Sequence, residues 1–338
     1  MVKHPSVAVR PVWRIETPLL GPLLLLFGSA GLTVVPFFAE TATLRLMVEI
    51  LAMIAMAQAW NLLAGYTGFV SVGQQAFIGI GAYGLFLFAI KAGISPFAAV
   101  FLGGLVAAVI GAAAAPALFH LRGPYFAIGT WVLAELFRIF ITNTAWFGGA
   151  SGLSMAQVVR GVPLSYRTHV TYWIALAIAA LSIAAIYALL RSRFGLAIRT
   201  VRDNEASAES VGVNVRGVKF VVFVIASFIT GCAGAVAYLN TMFVATGAAF
   251  AVDWSALIIF VVIIGGLGTI EGPIIGALVY FALREWLADY GTWYVITLGA
   301  IAIAVMIFAP HGLWGSLMRR RPFRLFPAET RLKPIKSN

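Results

Sequence analysis

The chain has 338 residues, of which 62% are hydrophobic and only 10% charged, with 34 glycines and a formal net charge of +11. A water-soluble domain has no interior able to take that share of apolar side chains, so the composition is that of a polytopic all-α membrane protein. The positive charge argues against a nucleic-acid partner by its placement, because the Lys and Arg residues collect in two tails and one internal loop.

In chain order, residues 1–17 form a basic tail carrying Lys3, Arg10 and Arg14. Apolar runs follow at about 18–37, 44–64, 68–90, 97–119, 124–142 and 170–190. After a charged loop at 191–219 come 218–240, 254–268, 273–287 and 292–309, and then a second basic tail, 311–338. These runs predict about ten transmembrane helices within one membrane domain, 18–310. The run 254–268 falls short of the roughly 20 residues of a full crossing, so GGLGTIEGP (265–273) is expected to turn partway into the membrane, sheltered by protein. The first run lacks a small-residue cleavage site and reads as a retained helix. With both termini cytoplasmic, only Arg45, Lys91, Arg138, Arg160, Arg167 and Arg284 of the 23 Lys and Arg residues lie outside or near outer ends, which is the positive-inside bias. The stretch 143–169, with its GGASG cluster, is the longest outer loop.

The most informative apolar stretch is NLLAGYTGFVSVGQQAFIGIGAYG, Asn61 to Gly84. Read as a helix from Gly68, it carries Gly68, Ser71, Gln75, Gly79 and Ala82 on one face and Gly73, Ala76 and Gly84 on another. Small residues on two faces let neighbouring helices approach on both sides, which puts this span at the centre of the bundle. Gly68, Ser71, Gln74, Gln75 and Gly79 are candidates for a polar substrate pathway. The same residues equally suit hydrogen bonds across a helix interface.

The charged loop, RSRFGLAIRTVRDNEASAESVGVNVRGVK, must leave the bilayer. Within it Phe194, Ala197, Ile198 and Val201 recur at helical spacing with arginines opposite, and Gly212 is a plausible stop. The segment fits a short amphipathic helix that docks a soluble partner, or a solvated loop at the membrane surface.

At this point several motifs together resemble one family. NLLAGYTG with SVGQQAFIGIGAY, RGPYFAIGT (122–130), GGASGLS (148–154), the charged loop and GGLGTIEGPIIGA (265–277) look like the permease of branched-chain amino acid ABC importers, of the larger-permease type. The likeness runs in order over about 44–310, and Gln74-Gln75 stands where the commoner form has His-Ala. The resemblance implies the ABC importer permease fold in a bacterial inner membrane. It implies that 191–219 couples to an ATPase, with Phe194, Ala197, Ile198, Arg199, Val201, Arg202, Asp203, Asn204, Glu205 and Gly212 as the contact segment. The apolar stripe would then sit in a cleft of the nucleotide-binding subunit. Glu205-Ala206-Ser207 followed by Gly212 is loosely similar to the EAA-type coupling motif. The implied partners are a homologous second permease, two ATP-binding cassette subunits, a periplasmic or extracellular amino acid-binding protein, and membrane lipid. ATP and Mg belong to the partner subunits, and no cofactor is expected in this chain.

The remaining chemistry is sparse. No G-x-x-x-x-G-K-[ST] phosphate cradle occurs, so this chain is not itself an ATPase. His4, His120, His169 and His311 lack ligand spacing. Glu135 and Arg138, three apart, are expected to neutralise each other, and Glu49 either snorkels outward or meets Arg45. Glu271 is placed to bond backbone N–H groups of its turn, and Asp253 and Arg284 read as interfacial. A permease for urea or short amides, and a one-polypeptide secondary transporter, are the alternatives.

Overall fold

The computed structural model describes residues 15–16, 20–121, 123–287, 293–309, 311–320, 323–324 and 326. Lys3, Arg10 and Arg14 of the first tail, Arg122 and most of the final tail lie outside these residues.

A short strand β1 (Ile15–Glu16) precedes α1 (Leu20–Thr33) and α2 (Thr41–Asn61), which continues as one π-helical turn, Leu62–Tyr66. Next come α3 (Gln74–Lys91), α4 (Pro96–Leu118) and α5 (Pro124–Thr142), the last two opened by a proline whose missing N–H is no loss at a helix start. Strand β2 (Leu153–Ser154) lies in the following loop, and α6 spans Leu164–Arg191. The charged loop folds into α7 (Arg193–Asp203) and α8 (Glu205–Ser210). Then follow α9 (Val215–Thr241), strand β3 (Phe243–Val244), α10 (Thr246–Ala249), α11 (Val252–Gly265), α12 (Glu271–Leu287), α13 (Trp293–Phe308), α14 (Gly312–Arg320) and strand β4 (Phe323–Arg324). Among the described residues, seven helical stretches are long and apolar enough to cross a membrane. The other predicted runs form α1, α3 and α12, of 14, 18 and 17 residues.

Three sequence expectations need correcting. The third apolar run is not helical from Gly68: residues 68–73 are irregular and α3 starts at Gln74, with Gly68 at φ +79°. The two faces drawn from Gly68 therefore do not exist as drawn, although α3 is buried on every side from Gln74 to Phe86. The outer loop ends earlier than expected, because α6 begins at Leu164, and its β2 pairs antiparallel with β3, Leu153 opposite Val244. Finally, the segment placed in a basic tail contains a helix, α14, whose first residue Gly312 packs on Gly266.

Close approach of glycines sets the centre. On α3, a methyl added at Gly84 would stand 2.9 Å from the Gly103 Cα of α4, and one at Gly81 would fall on the Gly231 carbonyl of α9. From the α9 side, Gly234 meets the Ile78 Cα at 2.6 Å. Three helices thus touch backbone to backbone, the arrangement that lets dispersion and packing hold a bundle where lipid removes the hydrophobic drive. Gly81→Leu should lower the melting temperature of detergent-solubilised protein and reduce monodisperse yield, since overpacking a closed interface costs about 1–3 kcal/mol or more. Gly28→Ala, with open space around it, should melt like the parent in the same fluorescence-detected assay.

Candidate functional site

Two clusters carry the polar chemistry of the bundle interior. The first lies at the N-terminus of α3. Ser71, Gln74 and Gln75 are fully buried there, together with Thr230 of α9 and Ser255 of α11. The Gln74 N–H donates to Ser255 Oγ (3.1 Å), and that hydroxyl donates in turn to Gln75 Oε1. Thr230 Oγ1 donates to Gln74 Oε1 at 3.1 Å. The irregular segment before α3 is pinned as well: Trp60 Nε1 donates to Ser71 O (2.7 Å), and the Val72 N–H donates to Thr130 Oγ1 of α5 (3.2 Å). The amide nitrogens of Gln74 and Gln75 find no partner among the described residues. A neutral, partly unsatisfied polar floor therefore sits where four helices converge.

Of the five pathway candidates, the structure brings Ser71, Gln74 and Gln75 together. Gly79 is packed under the Phe250 ring, and Gly68 lies apart, exposed and 3.6 Å from Arg202 Cγ as measured from an added methyl.

The second cluster joins α2 to the turn between α11 and α12. Asn61 accepts from the Gly268 N–H (2.8 Å) and donates to Thr269 O (2.7 Å), while Gln58 Nε2 donates to Ile270 O at 2.6 Å. The turn needs glycine at Gly266 (φ +133°) and Gly268 (φ +74°), and the π-helical turn needs it at Gly65, where a methyl would lie 2.6 Å from Gly268 N. The expectation of a tight turn at 265–273 holds, and two buried side-chain amides serve its backbone.

The charged loop differs from its reading in one respect. The stripe Phe194, Ala197, Ile198 and Val201 is helical as expected, but it faces its own chain: Ile198 and Val201 are buried in the core, with Phe194 and Ala197 packed against it. It is therefore not free to enter a cleft of another subunit. The exposed apolar residues here are Leu196 on α7 and Val211 just after α8, each 71% exposed, among the exposed Arg202, Asp203, Asn204, Glu205, Ala206, Ser207 and Glu209, with Arg199 half-buried. Asn204 caps α8 by accepting from Ser207 N–H (2.9 Å), and Gly212 at φ +85° reverses the chain after it. Arg202 Nη1 reaches back to Gly65 O (3.1 Å).

Four charged residues within the spans form two ion pairs, Glu135–Arg138 and Glu49–Arg284. Glu135 and Arg138 form the expected pair on α5, with Arg138 Nε donating to Glu135 Oε2 at 2.8 Å, amid the exposed Ile128, Trp131, Val132, Leu136 and Ile139. Glu49 pairs with Arg284 of α12 (2.9 Å) rather than with Arg45, because α2 and α12 pack side by side. That pair borders a cavity of about 430 Å³ walled by Met53, Tyr238, Trp254 and Tyr280. Glu271 does bond a backbone N–H, and the one it accepts from, that of Phe326 (3.0 Å), lies 55 positions along the chain.

Residues 42–310 match the family described as the permease component of branched-chain amino acid transport systems. The chain belongs to this family. It is 27% identical over 303 residues to the high-affinity branched-chain amino acid transport system permease protein LivM of Escherichia coli K12, covering 82% of this chain and 71% of that protein. A probable LivM of Methanocaldococcus jannaschii is 26% identical over 64% of this chain and 67% of its own. The nucleoside ABC transporter permease protein NupC of Lactococcus lactis is 24% identical over 50% of this chain and 58% of its own. As a family member the chain is a translocation component rather than an enzyme, and it is a multi-pass membrane protein of the ABC permease kind.

Sequence reading of this permease missed Gln58, Asn61, Thr130, Thr230 and Ser255. Each is a single polar residue in an apolar run, which signals a buried hydrogen bond but never its partner. Asn61→Leu should free the 266–270 turn: two backbone groups lose their partner, at about 1–3 kcal/mol each. Hydrogen exchange of the Gly266–Ile270 amides should rise at least tenfold in detergent, with α4 amides unchanged.

Proposed function

We propose that this chain is the permease subunit of an ATP-driven importer that carries branched-chain or similar apolar amino acids into the cell. The family match over 42–310 carries this reading, and the relatives that cover most of the chain are named for branched-chain amino acids. Relatives named for nucleosides or ribose align over half of it or less, which leaves nucleosides and sugars less favoured. A zwitterionic amino acid is neutral as a whole, and the buried amides and hydroxyls around Gln74 suit its passage better than fixed charge would. Selectivity would reside mainly in a periplasmic or extracellular binding protein that delivers the substrate.

In this reading both termini and α7–α8 lie on the cytoplasmic side of a bacterial inner membrane, the side that receives most of the basic residues. Two ATP-binding cassette subunits, which hold the ATP and Mg, grip α7–α8, and a homologous second permease completes the conduit. Because Ile198 and Val201 are committed to the core, the docking contacts fall to Leu196, Val211 and the polar residues from Arg202 to Glu209.

The deciding experiment expresses the chain with the permease, ATPase and binding-protein subunits of a branched-chain amino acid importer and measures uptake of labelled leucine, valine and urea. Accumulation of leucine or valine dependent on ATP supports the reading, and accumulation of urea alone overturns the substrate class. Leu196→Asp combined with Val211→Asp should weaken co-purification of the ATPases by about tenfold or more, as loss of an apolar anchor does at other interfaces, while membrane insertion stays normal.

A further inference from the structure

At the end of the bundle away from α7–α8, two cavities adjoin. They are lined from the first half of α2, the start of α6 and the last turns of α9 and α12, whereas α7–α8 join the far end of α6 to the start of α9. The larger cavity, of about 430 Å³, lies between α2, α9, α11 and α12 and is walled by Met53, Tyr238, Trp254, Leu257 and Tyr280. The smaller, of about 280 Å³, is polar and holds Arg45 and Arg167 beside Thr171 and Asn240. Glu49 and Thr241 line both.

Three arginines, Arg45, Arg167 and Arg284, line these walls against one carboxylate, Glu49. Glu49 bonds Arg284 through one oxygen, Oε2 (2.9 Å), and a carboxylate has lone pairs for further donors. Arg167 Nε is buried with no hydrogen-bond partner among the described residues. A guanidinium N–H held that way is costly, and a carboxylate brought from outside satisfies it in the fork geometry that arginine favours. The apolar cavity next to these charges falls in the range of small-molecule pockets, about 300–1,000 Å³. An apolar α-amino acid carries the three matching parts on one carbon: a carboxylate, an ammonium and an aliphatic side chain. A phospholipid with an ethanolamine headgroup shares both charges but brings two long tails, whereas the charges here adjoin one apolar cavity.

We propose that these adjoining cavities are an entry site for the free apolar amino acid, with Arg167 and Arg45 taking its carboxylate, Glu49 its ammonium, and the cavity among Met53, Tyr238, Trp254 and Tyr280 its side chain. Glu49 and Arg284 keep 39% and 38% of their side-chain surface exposed, so fixed charge here avoids the cost it would carry deep in the bundle. The polar floor at Gln74, by contrast, is built from neutral groups. The inference rests on the reading of this chain as an amino acid permease, and it adds that the permease itself, besides a binding protein, selects for both charged groups. The two fail separately. Uptake of urea alone sinks the substrate class, whereas this inference falls in a transporter that accumulates leucine yet binds none at these cavities.

The test titrates the whole transporter, in nanodiscs and without its binding protein, by saturation-transfer NMR on the ligand methyl groups. The ligands are leucine, 3-methylbutylamine, which lacks the carboxylate, and 4-methylpentanoate, which lacks the ammonium. In the parent, leucine should bind about tenfold or more tightly than either analogue, the ratio expected from one hydrogen bond to a charged group. Arg167→Gln should weaken leucine by about tenfold without weakening 3-methylbutylamine. Glu49→Gln should weaken leucine by a similar factor without weakening 4-methylpentanoate. A purely structural role for either residue predicts instead that all the ligands weaken alike, and the ligand series on the parent decides the matter even where a variant folds poorly. Equal affinity of the parent for the three ligands overturns the proposal. So do variants that melt like the parent yet shift every ligand together or none, and so does a co-purified phospholipid, seen by native mass spectrometry, that leucine does not displace.

Discussion

Irregular backbone inside an apolar bundle must have every N–H and C=O satisfied by protein, and this requirement organises the molecule. The chain breaks its helices twice within the core, at Leu62–Gly73 and at 266–270, and α2 supplies partners for both. Gln58 and Asn61 bond three backbone groups of the second break. Trp60, from the same helix, bonds Ser71 in the first. Three neighbouring positions of one buried helix thus hold two separated segments in register. The π-helical turn directly after Asn61 then brings Gly65 against Gly268, joining the breaks back to back.

Glycine serves two distinct purposes here. At Gly81, Gly84 and Gly234 it removes side chains so that helices touch, which stiffens the centre. At Gly68, Gly266 and Gly268 it permits backbone angles that other residues resist, which shapes the breaks. Closely touching helices thus stand beside an irregular stretch.

Much of the plan was legible from residues alone. The ten apolar runs, the helical charged loop, its stop at Gly212, the turn at 265–273 and the Glu135–Arg138 pair all follow from period, spacing and local chemistry. The misreadings share a cause. Extending α3 back to Gly68 followed the apolar pattern, but pattern is silent about which backbone groups have partners from elsewhere in the chain. Local spacing offers Glu49 only an outward snorkel or the near residue Arg45, whereas the packing of α2 on α12 brings Arg284, 235 positions away, to within 2.9 Å.

By itself, then, the sequence determined that this protein is a multi-pass helical permease with a charged internal loop, because hydropathy, small-residue content and ordered motifs are properties of the chain read locally. Only the tertiary structure decided which way the Phe194–Val201 stripe faces, which groups serve the broken backbone, and which polar residues meet at Gln74. An amphipathic period announces that one face of a helix will be covered. Whether the cover is a partner or the chain's own core depends on how distant helices pack, and no local pattern carries that information.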